Sequence, residues 1–127
     1  MNTKISNSEW DIMVYLWDSQ PLTMMQIVKK MELEHGWTKS TTTTLLKRML
    51  KKEVITYQQE GKARMYSAAL TKDQVQKEET TSFVNRVFNG NAALMVNHFI
   101  DSGNINLDDI NELQEILKQA EERLKNE

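Results

Sequence analysis

Gly36-Trp37-Thr38-Lys39-Ser40-Thr41-Thr42-Thr43-Thr44-Leu45-Leu46-Lys47-Arg48-Met49-Leu50-Lys51-Lys52 divides onto two faces once it is wound into a helix. Thr42, Leu45, Leu46 and Met49 recur at i, i+3, i+4 and i+7, the spacing of a core-facing stripe. The opposite face carries Ser40, Thr43, Thr44, Lys47 and Lys51, with Arg48 at its edge, so hydroxyls precede cations along the helix. Short hydroxyls near a helix start reach base edges or phosphates without obstruction, and the cations that follow neutralise flanking phosphates. Four successive β-branched threonines are otherwise a poor choice for a helix, because they lose rotamer freedom there. The plain alternative is a solvated surface helix rich in hydroxyls. The flanking segments weigh against it.

Downstream, Val54-Ile55-Thr56-Tyr57-Gln58-Gln59 reads as a strand, Glu60-Gly61-Lys62 as a tight turn, and Ala63-Arg64-Met65-Tyr66-Ser67-Ala68 as the returning strand of a hairpin with a basic tip. Upstream lie two shorter amphipathic segments. The first is expected to start at Ser8, with Asp11 in the capping position, and to present Trp10, Met13, Val14 and Trp17 to the core. The second starts at Thr23, with Gln26 completing a capping box, and presents Met24, Ile27, Val28 and Met31. These methionines and tryptophans are read as core fillers rather than a ligand site. Pro21 and Leu22 are placed to form a short third strand beside the hairpin. The order helix, helix, helix, strand, strand is that of a winged helix-turn-helix.

The net charge of -2 conceals an uneven distribution. Residues 1–70 hold 10 basic against 7 acidic residues, and residues 71–127 hold 6 against 11, so the halves stand at +3 and -5. Between Thr38 and Arg64, 7 basic residues face only Glu53 and Glu60, a local +5 over the helix and wing. Nucleic-acid affinity depends on where charge sits rather than on its sum. That local charge also argues against a competing class, a winged-helix protein-interaction module with no DNA affinity. The chain has no cysteine, which removes disulfides, thiolate metal sites and thiol nucleophiles. No apolar run is long enough to span a membrane, and the polar start Met1-Asn2-Thr3-Lys4-Ile5 does not resemble a signal peptide, so the expected location is the cytoplasm.

The second half carries three more helical patterns. Thr71 caps a helix expected to end at Asn89-Gly90-Asn91, with Phe83, Val84, Val87 and Phe88 on its last turns. Ala92 to Ile100 is so apolar, with Leu94 and Phe99 among its residues, that it is expected to be enclosed. Asn106 caps the last helix, where Ile110, Leu113, Leu117, Ala120 and Leu124 alternate spacings of three and four, a seam that packs on another helix. The expected architecture is mainly α with a β wing: a winged-helix DNA-binding domain over 1–70, then a three-helix dimerisation domain over 71–127. Phe83, Val87, Leu94, Phe99, Ile110, Leu113 and Leu117 are the expected dimer contacts, since soluble chains rarely leave such a patch bare.

An enzyme is not expected. His35 and His98 are the only histidines, and there is no HExxH, no Gly-rich phosphate loop and no Gly-x-Ser-x-Gly elbow. The acidic pairs Asp108-Asp109 and Glu121-Glu122 belong to helix ends and wet faces. No cofactor, metal site or catalytic residue is proposed from the sequence.

Taken together, Ser8-Glu9-Trp10-Asp11-Ile12-Met13, Leu16-Trp17, Trp37-Thr38 leading to Thr41 and Leu45–Lys52, Gly61-Lys62-Ala63-Arg64-Met65-Tyr66, and Phe83-Val84-Asn85-Arg86-Val87-Phe88 before Asn89-Gly90 resemble the penicillinase repressor family of BlaI/MecI type, to which the copper-responsive CopY repressors are related. The resemblance runs from about Ile5 to Lys118. It implies a homodimeric winged-helix repressor on a dyad operator with TACA and TGTA half-sites, silencing β-lactamase or related resistance genes. It further implies that Lys39, Ser40, Thr41 and Thr43 read bases, with Thr44 on the same face, while Lys47, Arg48, Lys51, Lys62 and Arg64 meet phosphates. Family members often carry Pro and Lys after the helix cap and Arg or Gln where Thr43 stands, so a different operator is expected. Repressors of the β-lactam systems are released when an antibiotic-sensing membrane metalloprotease cuts an Asn-Phe bond in the dimerisation domain. The matching segment here is Leu94-Met95-Val96-Asn97-His98-Phe99, where the intervening His98 puts the candidate bond at Asn97-His98. Release through the C-terminal Cys-x-Cys motifs of the copper-sensing relatives is excluded by the lack of cysteine.

Overall fold

The computed structural model describes residues 4–127, so the polar start Met1-Asn2-Thr3 lies outside the described residues. The elements are α1 (Asn7–Ser19), β1 (Leu22–Thr23), α2 (Met24–His35), α3 (Lys39–Lys51), β2 (Ile55–Glu60), β3 (Ala63–Ala68), α4 (Lys72–Phe88), α5 (Ala92–Asp101) and α6 (Leu107–Lys125). The chain divides into two compact units, and the division falls inside α4, between Glu79 and Thr80. Val75 explains why the first unit reaches past the end of the sheet: its side chain is buried in that unit's core.

The first unit is a winged helix. β1 pairs with β3 and β3 with β2, all antiparallel, so the strand foreseen at Pro21-Leu22 exists as Leu22–Thr23 beside the hairpin. Thr23 also starts α2 through the expected reciprocal cap with Gln26, at 3.2 and 2.8 Å. Gly36 closes α2 at φ 69, a left-handed conformation open to a residue without a Cβ, and the turn leads directly to Thr38, which caps α3. In the wing, the ladder runs out to Glu60 opposite Ala63, and Gly61 takes the positive φ of 60 that a two-residue hairpin loop demands at its first position.

The α3 stripe is buried as foreseen, with Thr42, Leu45, Leu46 and Met49 all inside. In α2, Ile27, Val28 and Met31 are buried and Met24 is half-buried at the rim. The first helix differs from expectation. It is capped by Ser6 and Glu9 rather than by Ser8 and Asp11, and its buried stripe is Glu9, Ile12, Met13 and Leu16. Val14 is exposed, while Trp10 and Trp17 pack edge to face at the core's margin, their ring centroids 5.5 Å apart. The stripe is displaced from the expected one because a carboxylate occupies a core position, where hydropathy alone does not look for one.

Glu9 is completely buried and is met by donors from three directions. Lys52 Nζ donates to Oε1 at 2.7 Å, Arg48 Nε to Oε2 at 3.2 Å, and the Ser6 backbone N–H to Oε1 at 2.8 Å. Burial by itself pushes the carboxyl up, but the hydrogen bonds from Lys52 and Ser6, together with the Lys52 charge, outweigh it and hold the group below its ordinary value of 4.5.

In the second unit, Asn91 caps α5, and Asn106 caps α6 in a reciprocal box with Asp109. The turn at Asn89-Gly90 ends α4 as expected, with both residues at positive φ. The apolar helix α5 is not enclosed within the chain. Among residues 80–127 none is buried, since the later turns of α4 with α5 and α6 are too few elements to surround one another.

Because the folded pKa of Glu9 lies below the unfolded one, its contribution is fully present above about pH 4.5 and is lost as the pH falls through the folded value. Glu9→Ala should therefore cost about 3 kcal/mol at neutral pH, the scale for removing one partner of a buried ion pair. Urea unfolding between pH 3 and 7 should show that difference shrinking as the medium becomes acidic; an equal loss at both ends would remove the carboxylate charge from the explanation. Thr42 makes the opposite case, because its hydroxyl is buried without a hydrogen-bond partner. Thr42→Val keeps the shape, removes the unpaired group, and should stabilise the unit by about 1 kcal/mol.

Candidate nucleic-acid interface

With its apolar stripe pressed into the core, α3 turns its other side outward. Lys39, Ser40, Thr41, Thr44, Lys47, Arg48 and Lys51 are exposed, and Thr43 is half-buried. Thr38 accepts the Thr41 N–H at 3.1 Å and shares a hydroxyl contact with Thr41 Oγ1 at 3.0 Å, which fixes the first turn. Thr43 Oγ1 donates to the Ser40 carbonyl at 3.1 Å. Its proton is thereby used inside the helix, leaving lone pairs and a methyl group to face a partner.

Arg48 and Lys52 differ from the other cations of the helix. Lys52 Nζ is spent on Glu9 and on the Lys4 carbonyl, at 2.7 and 3.0 Å, and serves the fold. Arg48 donates to Glu9 through Nε, and its side chain remains half exposed, so it is shared between the fold and the surface. The hydrophobic pattern contains no signal for this division of labour. The spacing Arg48 to Lys52 along one helix edge, opposite a capping Glu, is the trace it leaves.

The wing supplies Lys62 and Arg64, both exposed. A groove of about 520 Å³ separates the wing tip from the start of α2 and is lined by Thr23, Met24, Met25, Gln59, Lys62 and Arg64. The Arg64 guanidinium lies over the Tyr57 ring, 4.4 Å from its centroid. Tyr57 was not among the residues singled out from the sequence, because the contact depends on cross-strand register.

The residues expected to form a dimer surface lie in the second unit and are open. Phe83, Val87, Leu94, Phe99 and Leu117 are exposed, while Ile110 and Leu113 are half-buried. A groove of about 360 Å³ between α5 and α6 is walled by Met95, Val96, Phe99, Ile105, Leu113 and Ile116. Asn97 and His98 are exposed on α5, and the His98 ring packs on Phe88 at 5.3 Å. His35 is 3.7 Å from Asp11 and stacks on Trp37 at 5.0 Å, an arrangement that locks the turn before α3. No group of three or more metal-ligating side chains occurs among the described residues, and none of their helices is long and apolar enough to cross a membrane.

Comparison with known proteins shows the family of the chain and the fold of its first unit. Residues 5–119 match the family model described as "Penicillinase repressor". The penicillinase repressor of Bacillus licheniformis is 27% identical over 122 residues, spanning 96% of this chain and 95% of that protein. The methicillin resistance regulatory protein MecI of Staphylococcus aureus (strain N315) is 25% identical over 116 residues, spanning 91% and 94%. A solution structure of the Bacillus licheniformis BlaI monomeric form in complex with the blaP half-operator superposes with a TM-score of 0.52 at 22% identity, covering 57% of this chain and 89% of that one. That superposition establishes the winged-helix fold. With the family match running from the first helix into α6, and the winged helix in place, the chain belongs to the penicillinase repressor family.

Proposed function

We propose that this protein is a transcriptional repressor rather than an enzyme, binding double-stranded operator DNA as a homodimer through α3 and the wing. The observation that carries the DNA half of the reading is the division of α3: four buried residues hold it to the core, while the hydroxyls and cations at Lys39, Ser40, Thr41, Thr44, Lys47 and Lys51 lie exposed on the other side. In this arrangement Lys39, Ser40, Thr41, Thr43 and Thr44 face base edges, and Lys47, Arg48, Lys51, Lys62 and Arg64 meet phosphates. The name of the structural relative, a complex with a half-operator, supports the same reading.

Support for the homodimer comes from the second unit, which buries none of its residues and exposes Phe83, Leu94, Phe99 and Leu117. A second copy laid against α5 and α6 supplies the missing half of a core, and two copies match a dyad of half-sites. Release by a membrane-bound sensor metalloprotease at Asn97-His98 belongs to this reading too. A cut within α5 separates α4 from α6, divides the dimerisation unit, and turns a two-site contact into a one-site contact.

Binding to the DNA upstream of the protein's own gene and to a random duplex provides the test. Thr43→Ala should lower affinity for the upstream site roughly five-fold and leave random DNA alone, because only base contacts discriminate. Lys51→Ala should weaken both duplexes and reduce the salt slope by about 0.9, the release of one counterion. Parallel losses on both duplexes for Thr43→Ala would take that residue out of the readout. For assembly, Leu117→Asp puts an unpaired charge into the proposed seam, at a cost of several kcal/mol. Light scattering at micromolar concentration should then find a dimeric wild type and a monomeric variant. A variant that stays dimeric would move the interface away from α6.

A further inference from the structure

We propose that Tyr57 is a positioning residue: its ring holds the Arg64 guanidinium on the helix-facing side of the wing, as a preset phosphate contact separate from α3. The inference rests on the DNA-binding reading above. It starts from register. Tyr57 stands opposite Tyr66 and Gln59 opposite Arg64, so strand alternation puts all four on one face of the hairpin. Tyr66 is buried in the core that also receives α1, α2 and α3, which identifies that face as the one turned toward the helices. Further out along the same face, Arg64 passes beyond the core and lines the groove against Thr23 and Met24 at the start of α2.

The three side chains form a relay of support. Tyr66 is fixed by burial, Tyr57 packs against it at 5.8 Å between ring centroids, and Arg64 lies on Tyr57 at 4.4 Å. Tyr57 and Arg64 are diagonal cross-strand neighbours, the placement from which a long side chain reaches an aromatic ring. The ring holds the guanidinium by its charge and does not accept its N–H donors in conventional hydrogen bonds, which leaves those donors for phosphate oxygens. A side chain already held in its bound conformation surrenders less rotamer freedom on binding. Lys62, at the tip of the turn, has no such backing, so the two wing cations are not equivalent.

Fluorescence polarisation with the upstream and random duplexes, at several salt concentrations, tests this with the full chain and the variants Arg64→Ala, Tyr57→Leu, Tyr57→Phe and Tyr57→Leu/Arg64→Ala. Arg64→Ala should weaken both duplexes alike and flatten the salt slope by about 0.9. Tyr57→Leu should weaken both by about three-fold with the slope retained, since the cation is still present but no longer held. Tyr57→Phe keeps the ring and should bind as the wild type does. The double variant should be no weaker than Arg64→Ala alone. Additive losses in the double variant would mean that Tyr57 acts through the hairpin's stability, and a Tyr57→Phe as weak as Tyr57→Leu would mean that its hydroxyl is the active group; either overturns the proposal. So does a wild type that binds DNA and responds to Lys51→Ala but not to Arg64→Ala or Tyr57→Leu, with the DNA-binding reading left standing. A wild type with no salt-dependent affinity for either duplex sinks that reading and this inference together.

Discussion

Glu9 loses its water completely on folding, and a carboxylate in that position is tolerated only where donors and cations surround it. This requirement reaches across the first unit. It draws Arg48 and Lys52, from the end of α3, onto the first turn of α1, and it makes the same side chain a helix cap through Ser6. The far end of α3 is therefore tethered by charge, while its start is set by the left-handed turn at Gly36 and the cap at Thr38. Apolar packing along Leu45, Leu46 and Met49 would by itself allow small rotations of the helix about its axis. Two charged anchors on one edge oppose such rotation, and so steady the side of α3 that the apolar stripe has turned outward.

The same contact revises the charge reading of the interface. Counting from Thr38 to Arg64 includes Arg48 and Lys52 at full weight and omits Glu9, which is remote in sequence but lies between them in space. One of those cations is spent on the fold and the other is shared. The cations left wholly to solvent on this helix are Lys39, Lys47 and Lys51, and they lie along the exposed side together with the hydroxyls.

What could be read from the sequence depended on whether the deciding signal was local. The α3 stripe, the Thr23–Gln26 cap, the tight turn at Gly61 and the strand at Leu22 all rest on residues a few positions apart, and each is present. The stripe of α1 was misplaced because its first member is a charged residue whose partners are about forty positions away, beyond the reach of any periodicity argument. The role of Tyr57 has no local signal for a similar reason, since only the pairing of β2 with β3 brings Arg64 to its ring. The enclosure expected for α5 fails within one chain because hydropathy reports what seeks burial and does not say where the covering surface will come from.

That last feature bears on how the second unit stays ordered. A unit made of the later turns of α4 and two capped helices, with no buried residue, has no core of its own, so a solitary copy opens there far more readily than in its winged helix. With the association proposed above, order in residues 80–127 becomes a function of concentration, by mass action rather than by any change in the chain. On the homodimer reading, a copy at low concentration leaves α5 and α6 open, whereas copies above the association threshold cover one another.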